Sequence, residues 1–207
     1  MYGILLYNGV EPIDVGAAFG VLSMATRIAP GLAFTGIARR RGEVVCANGL
    51  RVLADHDYAS APDTLTDLIV TGGPGWTRAA EDPETLDFIR GTRARITSMC
   101  TGAMILSAAG RLADKRATTK REVFAGEASP LDSLKAGHAV AATLVDSGGM
   151  VTSGGVTLGL DAMFYCLARS HGQTVATEVA RVMEYSRALA VNRDALGYQC
   201  DGPSTSR

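Results

Sequence analysis

The sequence predicts an α/β fold, a mainly parallel sheet with helices on both faces, and three observations carry that reading. Short continuous apolar runs, Tyr2 to Tyr7 and Asp67 to Thr71, have the length and the lack of alternation expected of strands buried on both faces. Segments with apolar residues at helical spacing alternate with such runs, and strand–helix alternation makes a parallel sheet. The 24 glycines, against 7 prolines, sit between apolar runs, where tight strand-to-helix turns need a residue free of Cβ clashes.

Each element follows from a local signal. The first strand, Tyr2 to Tyr7, stops at Asn8-Gly9, and from Asp14 to Arg27 the residues Val15, Ala18, Phe19, Leu22 and Met24 recur near helical spacing until Pro30-Gly31. Leu32 to Ala38 reads as a second strand, followed by Arg39-Arg40-Arg41. Glu43 to Leu53 carries β-branched pairs around Asn48-Gly49, which suits a type I′ hairpin because both central positions tolerate positive φ. Asp67 to Thr71 is a further buried strand and ends in the loop Gly72-Gly73-Pro74-Gly75-Trp76. A helix begins where Asp82 can cap and Pro83 takes the first position, and Gly91 is expected to close it. Ile96 to Met99 is a short strand, and Gly102 to Ala109 a small-residue helix closed by Gly110. Arg111 to Lys135 reads as a polar connection, Ala139 to Thr152 as a hairpin turning at Ser147-Gly148-Gly149, and Val156 to Arg169 and Thr174 to Arg187 as two helices. Residues 1–190 make one domain and 191–207 a C-terminal tail, frayed from Cys200.

Composition narrows the function. With 207 residues and 47% hydrophobic side chains the chain can bury a full core. Its 20 Lys+Arg against 21 Asp+Glu and its 6% aromatic residues argue against nucleic acid as a partner, since phosphate binding needs clustered cations and single strands need exposed rings. Cys46, Cys100, Cys166 and Cys200 form no C-x-x-C pair, which disfavours a zinc knuckle or disulfide framework and fits a reducing cytoplasm. The start, MYGILLYNGVEPID, lacks a basic n-region and a small-residue cleavage site, and no apolar stretch is long enough to span a bilayer, so neither secretion nor a membrane is expected. The glycine loop matches neither G-x-G-x-x-G nor the P-loop, and no cofactor or metal is expected.

Chemistry concentrates at Ile96-Thr97-Ser98-Met99-Cys100-Thr101-Gly102-Ala103. Cys100 stands between strand and helix with small residues two positions before and after, the pattern of a nucleophile elbow: a sharp turn lifts the nucleophile, and small neighbours avoid strand–helix clashes. The helix start is expected to stabilise a thiolate and lower its pKa. The plainer alternative is a buried cysteine serving as a small hydrophobe, which is the reading preferred for Cys46, Cys166 and Cys200. The amides of Gly73 and Thr101, in a loop with Gly72, are expected to converge as an oxyanion-type site beside Cys100. Asp14 is either a helix N-cap or a partly desolvated carboxyl that holds a proton at neutral pH. Trp76 either lines the pocket mouth or packs over it. His56, His138 and His171 are scattered, with none beside Cys100, and His171-Gly172 reads as a helix end. The arginine run reads as a solvated edge more than a phosphate grip.

At these residues the chain resembles the DJ-1/PfpI superfamily. The resemblance spans nearly the whole chain and rests on EPIDVGAAFGVLS, DLIVTGGPGW, SMCTGAMILSAAGRLADKRATT and TSGGVTLGLDAMFY. It implies a flavodoxin-like sandwich, a homodimer with first-helix residues near the interface, and a small-molecule substrate. Many protease-like members place His after the cysteine, whereas this chain has Thr101, which argues against peptidase activity. Cys-Thr-Gly with Asp near the start is most similar to the isocyanide (isonitrile) hydratase branch. That branch also resembles sensor domains of AraC-type regulators, but 207 residues leave no room for their helix-turn-helix domain, and the standalone form is expected. The branch continues ATT with His and an aromatic, and here Lys120-Arg121 stand instead. The resemblance implies catalysis by Cys100, Asp14 and Thr101, with Gly72, Gly73 and Trp76 at the substrate. Two alternatives share these groups: glyoxalase- or deglycase-like chemistry on reactive carbonyls, and a non-enzymatic cysteine redox sensor.

Overall fold

A computed structural model describes residues 1–201. Its strands, in chain order, are β1 (Tyr2–Leu5), β2 (Phe34–Ala38), β3 (Gly42–Val45), β4 (Arg51–Ala54), β5 (His56–Asp57), β6 (Asp67–Val70), β7 (Arg95–Ser98), β8 (Arg116–Ala117), β9 (His138–Ala139), β10 (Leu144–Ser147), β11 (Met150–Ser153) and β12 (Tyr198–Cys200). The helices are α1 (Pro12–Ala25), α2 (Trp76–Glu81), α3 (Pro83–Gly91), α4 (Gly102–Ala108), α5 (Pro130–Ser133), α6 (Gly159–His171), α7 (Gln173–Val182) and α8 (Ser186–Leu196).

The central sheet runs β12-β10-β11-β7-β6-β1-β2-β5. Its pairings are parallel except the β10–β11 hairpin, with Tyr2 opposite Asp67 in β1–β6 and Asp67 opposite Arg95 in β6–β7. Every residue of β1 and β6 is buried, as the uninterrupted apolar runs required of strands covered on both faces. One helix group, α1 with α6 and α7, and a second, α2 with α3 and α4, supply that cover. β3 and β4 pair as a separate hairpin, and β8 with β9 as a small parallel ladder. Because β1, β6 and β7 are parallel neighbours, the segments leaving their carboxyl ends meet at one edge, and those segments carry Asp14, the Gly72-Gly73 loop and Cys100.

Local differences have local causes. The Asn48-Gly49 turn is wider than a two-residue hairpin: Ala47–Gly49 forms a 3-10 turn with Asn48 at φ 58° and Gly49 at φ 94°. Trp76, read as the end of a loop, instead opens the helix α2, which no side chain caps and no sequence signal announces. Asp82 caps α3 as expected, accepting from the Thr85 backbone N–H at 3.1 Å, but the helix includes Gly91 and ends at Thr92. The polar connection 111–135 contains β8 and α5. The expected helix from Thr174 to Arg187 stops at Val182, and after Glu184, at φ 56°, α8 begins.

Residues 191–201 are not a free tail. They finish α8 and form β12, which pairs with β10. The anchor is Asp161, fully buried on α6, whose carboxylate accepts from Tyr185 Oη at 3.1 Å, Asn192 Nδ2 at 2.9 Å and Tyr198 Oη at 2.9 Å. Residues 202–207 of the expected tail lie outside the described residues. Among the described residues no helix is long and apolar enough to cross a membrane.

Candidate functional site

The elbow is built as its spacing required. Cys100 follows β7 and precedes α4 with φ 51°, a conformation rare for a residue with a side chain and costing on the order of 1–3 kcal/mol. Three hydrogen bonds hold it there: Cys100 N–H donates to Gly154 O at 3.2 Å, Gly102 N–H to Met99 O at 2.8 Å, and the Thr119 hydroxyl to Cys100 O at 2.7 Å. Gly102 is a steric necessity, since a Cβ there would lie 2.2 Å from Val70 O. At the other flank Ser98 is fully buried.

Asp14 is not the helix cap. Glu11 takes that place, accepting from Ile13 N–H at 3.4 Å, while Asp14, in the first turn of α1, turns inward and is fully buried. Its Oδ2 accepts the Gly72 backbone N–H at 2.7 Å, and its Oδ1 has no hydrogen-bond partner among the described residues. Burial lifts its pKa to about 7; the Gly72 amide and the Lys120 charge oppose that rise, and the charge of Glu11 adds to it.

The Cys100 thiol departs from expectation. It is 3% exposed, and burial, reinforced by the negative charge of Asp14, pushes its pKa up to about 12. The Thr101 backbone N–H and hydroxyl and the Lys120 charge pull the other way without overcoming this. The expected lowering by the helix start is outweighed because the sulfur has little water around it.

The expected oxyanion site is corrected at Gly73, while the Thr101 N–H lies at the Cys100 sulfur. Gly73 N–H donates to the Thr101 hydroxyl oxygen at 2.8 Å, and that hydroxyl lies 3.3 Å from Gly73 O. With Gly72 N–H on Asp14, both loop amides are occupied, so the glycine loop positions Asp14 and Thr101 in place of presenting free donors.

Above the elbow lies a cavity of about 770 Å³ that includes Cys100, Thr101, Gly73 and Trp76 in its lining. Trp76 is thus a wall of the pocket, with its ring partly buried against the core. Sequence reasoning missed the opposite wall, the segment after β8 that brings Lys120, Glu122 and Phe124 to the opening. Only the Lys120 departure from the branch pattern hinted at it. Among the described residues no group of three or more His, Cys, Asp or Glu could hold a metal ion. Cys46 and Cys166 are buried, Cys166 Sγ lying 2.9 Å from Thr97 Oγ1, whereas Cys200 is exposed on β12. The arginine run is a solvated edge: Arg39 pairs with Asp82 and Glu84, and Arg40 with Glu84.

Comparison with known proteins agrees with this layout. The model of the DJ-1/PfpI family matches residues 3–169. The isonitrile hydratase of Pseudomonas putida is 31% identical over 189 residues, covering 90% of this chain and 78% of its own length. A solved ThiJ/PfpI family protein from Pseudomonas syringae is 29% identical with a TM-score of 0.77, over 89% of this chain and 74% of that one. Drosophila melanogaster DJ-1beta shares the fold, with a TM-score of 0.77 at 20% identity over 89% of this chain and 97% of its own.

Proposed function

The chain belongs to the DJ-1/PfpI family, and from that premise we propose that it is a cysteine-dependent isocyanide hydratase, converting isocyanides to N-substituted formamides. The observation that carries this reading is a Cys100 thiol lining the cavity with a fully buried carboxyl, Asp14, whose pKa lies near 7 and whose charge bears on the sulfur. Similarity to an isonitrile hydratase supports the choice of substrate.

In the proposed sequence the pair works with one shared proton. Asp14 carboxylate takes the thiol proton as the Cys100 sulfur bonds to the terminal carbon of the isocyanide. That carbon, gaining electron density, receives the same proton back from Asp14, which leaves a thioimidate on Cys100. Water then adds its oxygen to the thioimidate carbon and a proton to the nitrogen. Collapse of the tetrahedral adduct breaks the carbon–sulfur bond, releases R–NH–CHO and returns a proton to the sulfur. Thr101, bonded to Gly73, fixes the elbow against the glycine loop, and Trp76 packs against the substituent.

A redox sensor is the competing reading, and the burial of Cys100 sets it apart from the exposed cysteines such sensors use. The test is an ultraviolet assay with an aromatic isocyanide beside methylglyoxal, using the protein and its Cys100→Ala variant. Formamide production lost by at least a thousandfold in the variant is the expected result. Cys100-dependent loss of methylglyoxal alone would move the assignment to carbonyl chemistry. Silence on both, with peroxide adding oxygen mass at Cys100, would make the protein a sensor.

A further inference from the structure

The elbow forms a thiolate in a buried place where only part of the expected positive potential, the Thr101 N–H and hydroxyl, bears on the sulfur. α4 is short, and the Gly72 and Gly73 amides already have partners. The stem of a cation, Lys120, packs beside the sulfur. A Cβ built on Gly155 would lie 2.9 Å from Cys100 Sγ and 3.0 Å from both Cβ and Cγ of Lys120, so the sulfur and the lysine stem pack against the same bare α-carbon. The bond from the Thr119 hydroxyl to Cys100 O fixes the neighbouring backbone, and Leu131 N–H donates to Lys120 O at 3.1 Å.

The cavity carboxylates have other partners. Glu11 caps α1, Glu122 pairs with Arg121 at 3.3 Å, and Glu127 accepts from Phe124 N–H at 3.2 Å. Lys120 makes no ion pair among the described residues, and it lines the cavity beside Cys100. From this geometry we propose that Lys120 is a positioning residue for charge: its ammonium supplies the positive potential against which the Cys100 thiolate forms. The groups it acts among are Asp14 and Glu11 at the start of α1, Tyr7 after β1, and Cys100 itself. Its charge bears on both Cys100 and Asp14, easing loss of the first proton from the doubly protonated pair.

This inference rests on the nucleophilic role of Cys100 and not on the identity of the substrate, so the experiment uses a neutral alkylating agent. Iodoacetamide labelling of the whole protein would be followed by peptide mass spectrometry from pH 6 to 10, reading the Cys100 peptide apart from the exposed Cys200. Lys120→Met should slow Cys100 labelling about tenfold at pH 7.5, the effect of a rise of about one unit in the thiol pKa, while Lys120→Arg stays within about twofold of the parent. Unlabelled Cys46 and Cys166, buried and outside the lining of the cavity that Cys100 reaches, certify the fold, and Lys120→Gln takes the place of Lys120→Met if they label. An unchanged profile in the neutral variant would overturn the inference, as would Lys120→Arg falling as far as Lys120→Met. If the parent never turns over isocyanide yet shows this charge dependence, the substrate assignment fails and the role of Lys120 stands.

Discussion

At the scale of single residues, Asp14 links stability to activity through one proton. Its folded pKa of about 7 lies above the value near 3.9 expected of an unfolded chain. Between those values the folded state holds the extra proton, so stability falls as pH rises from about 4 to 7 and is flat beyond, by an amount on the order of 4 kcal/mol. Asp14→Asn keeps an acceptor for Gly72 N–H but cannot ionise. Urea unfolding at pH 5 and pH 8 should show the variant gaining stability relative to the parent at the higher pH; an equal difference at both would refute the raised pKa. Turnover should respond in the opposite sense, falling by about 10² to 10⁴ in the variant. The reactive form of the Cys100–Asp14 pair carries one proton. kcat/KM of the parent should therefore rise with pH through about 7 and hold a plateau into the alkaline range, a midpoint that belongs to the pair.

At the scale of elements, the elbow is a junction between β7, α4 and the carboxyl end of β6, and its tightness is a backbone property. A Cβ on residue 102 would meet Val70 O at 2.2 Å, a contact no rotamer change can relieve. Gly102→Ala should cost about 1–3 kcal/mol or more and lower Tm by roughly 3–10 °C, read by calorimetry. A variant melting with the parent would show that α4 can slide away from β6. The elbow's existence was legible from Cys100 and its small flanking residues because sterics act over two positions. What occupies the Gly72 and Gly73 amides was not, since their partners stand 58 and 28 residues away in the chain. For the same reason α8 and β12 escaped notice: their signal is weak locally, and Asp161 on α6 provides the bonds that hold them.

At the scale of the whole molecule, the C-terminal segment and the outer face of α1 are where the fold can be tested. Asp161→Ala would leave the Tyr185 and Tyr198 hydroxyls and the Asn192 amide without their shared acceptor. A loss of roughly 3 kcal/mol in urea unfolding is expected, and a loss below about 0.5 kcal/mol would show that α8 and β12 contribute little to stability. On α1, Ile13 and Met24 remain partly exposed, as does Ile28 just beyond it. The homodimer expected from the family resemblance would cover such a surface. Sedimentation velocity should give twice the chain mass, and a monomer at micromolar concentration would refute it.

The sequence by itself determined the α/β class, the order of the main strands and helices, the elbow at Cys100 and the candidate set around it. Those features follow from hydrophobic period, glycine sterics and capping chemistry, which act between residues a few positions apart. Tertiary structure decided the electrostatics: burial raised the Cys100 pKa where a local reading lowered it, Glu11 took the cap and left Asp14 inside, and Lys120 came to lie beside the sulfur. Desolvation and Coulomb interactions depend on what surrounds a group in space, and residues from β1, β6, β7 and the segment after β8 meet at that edge only when the sheet has formed.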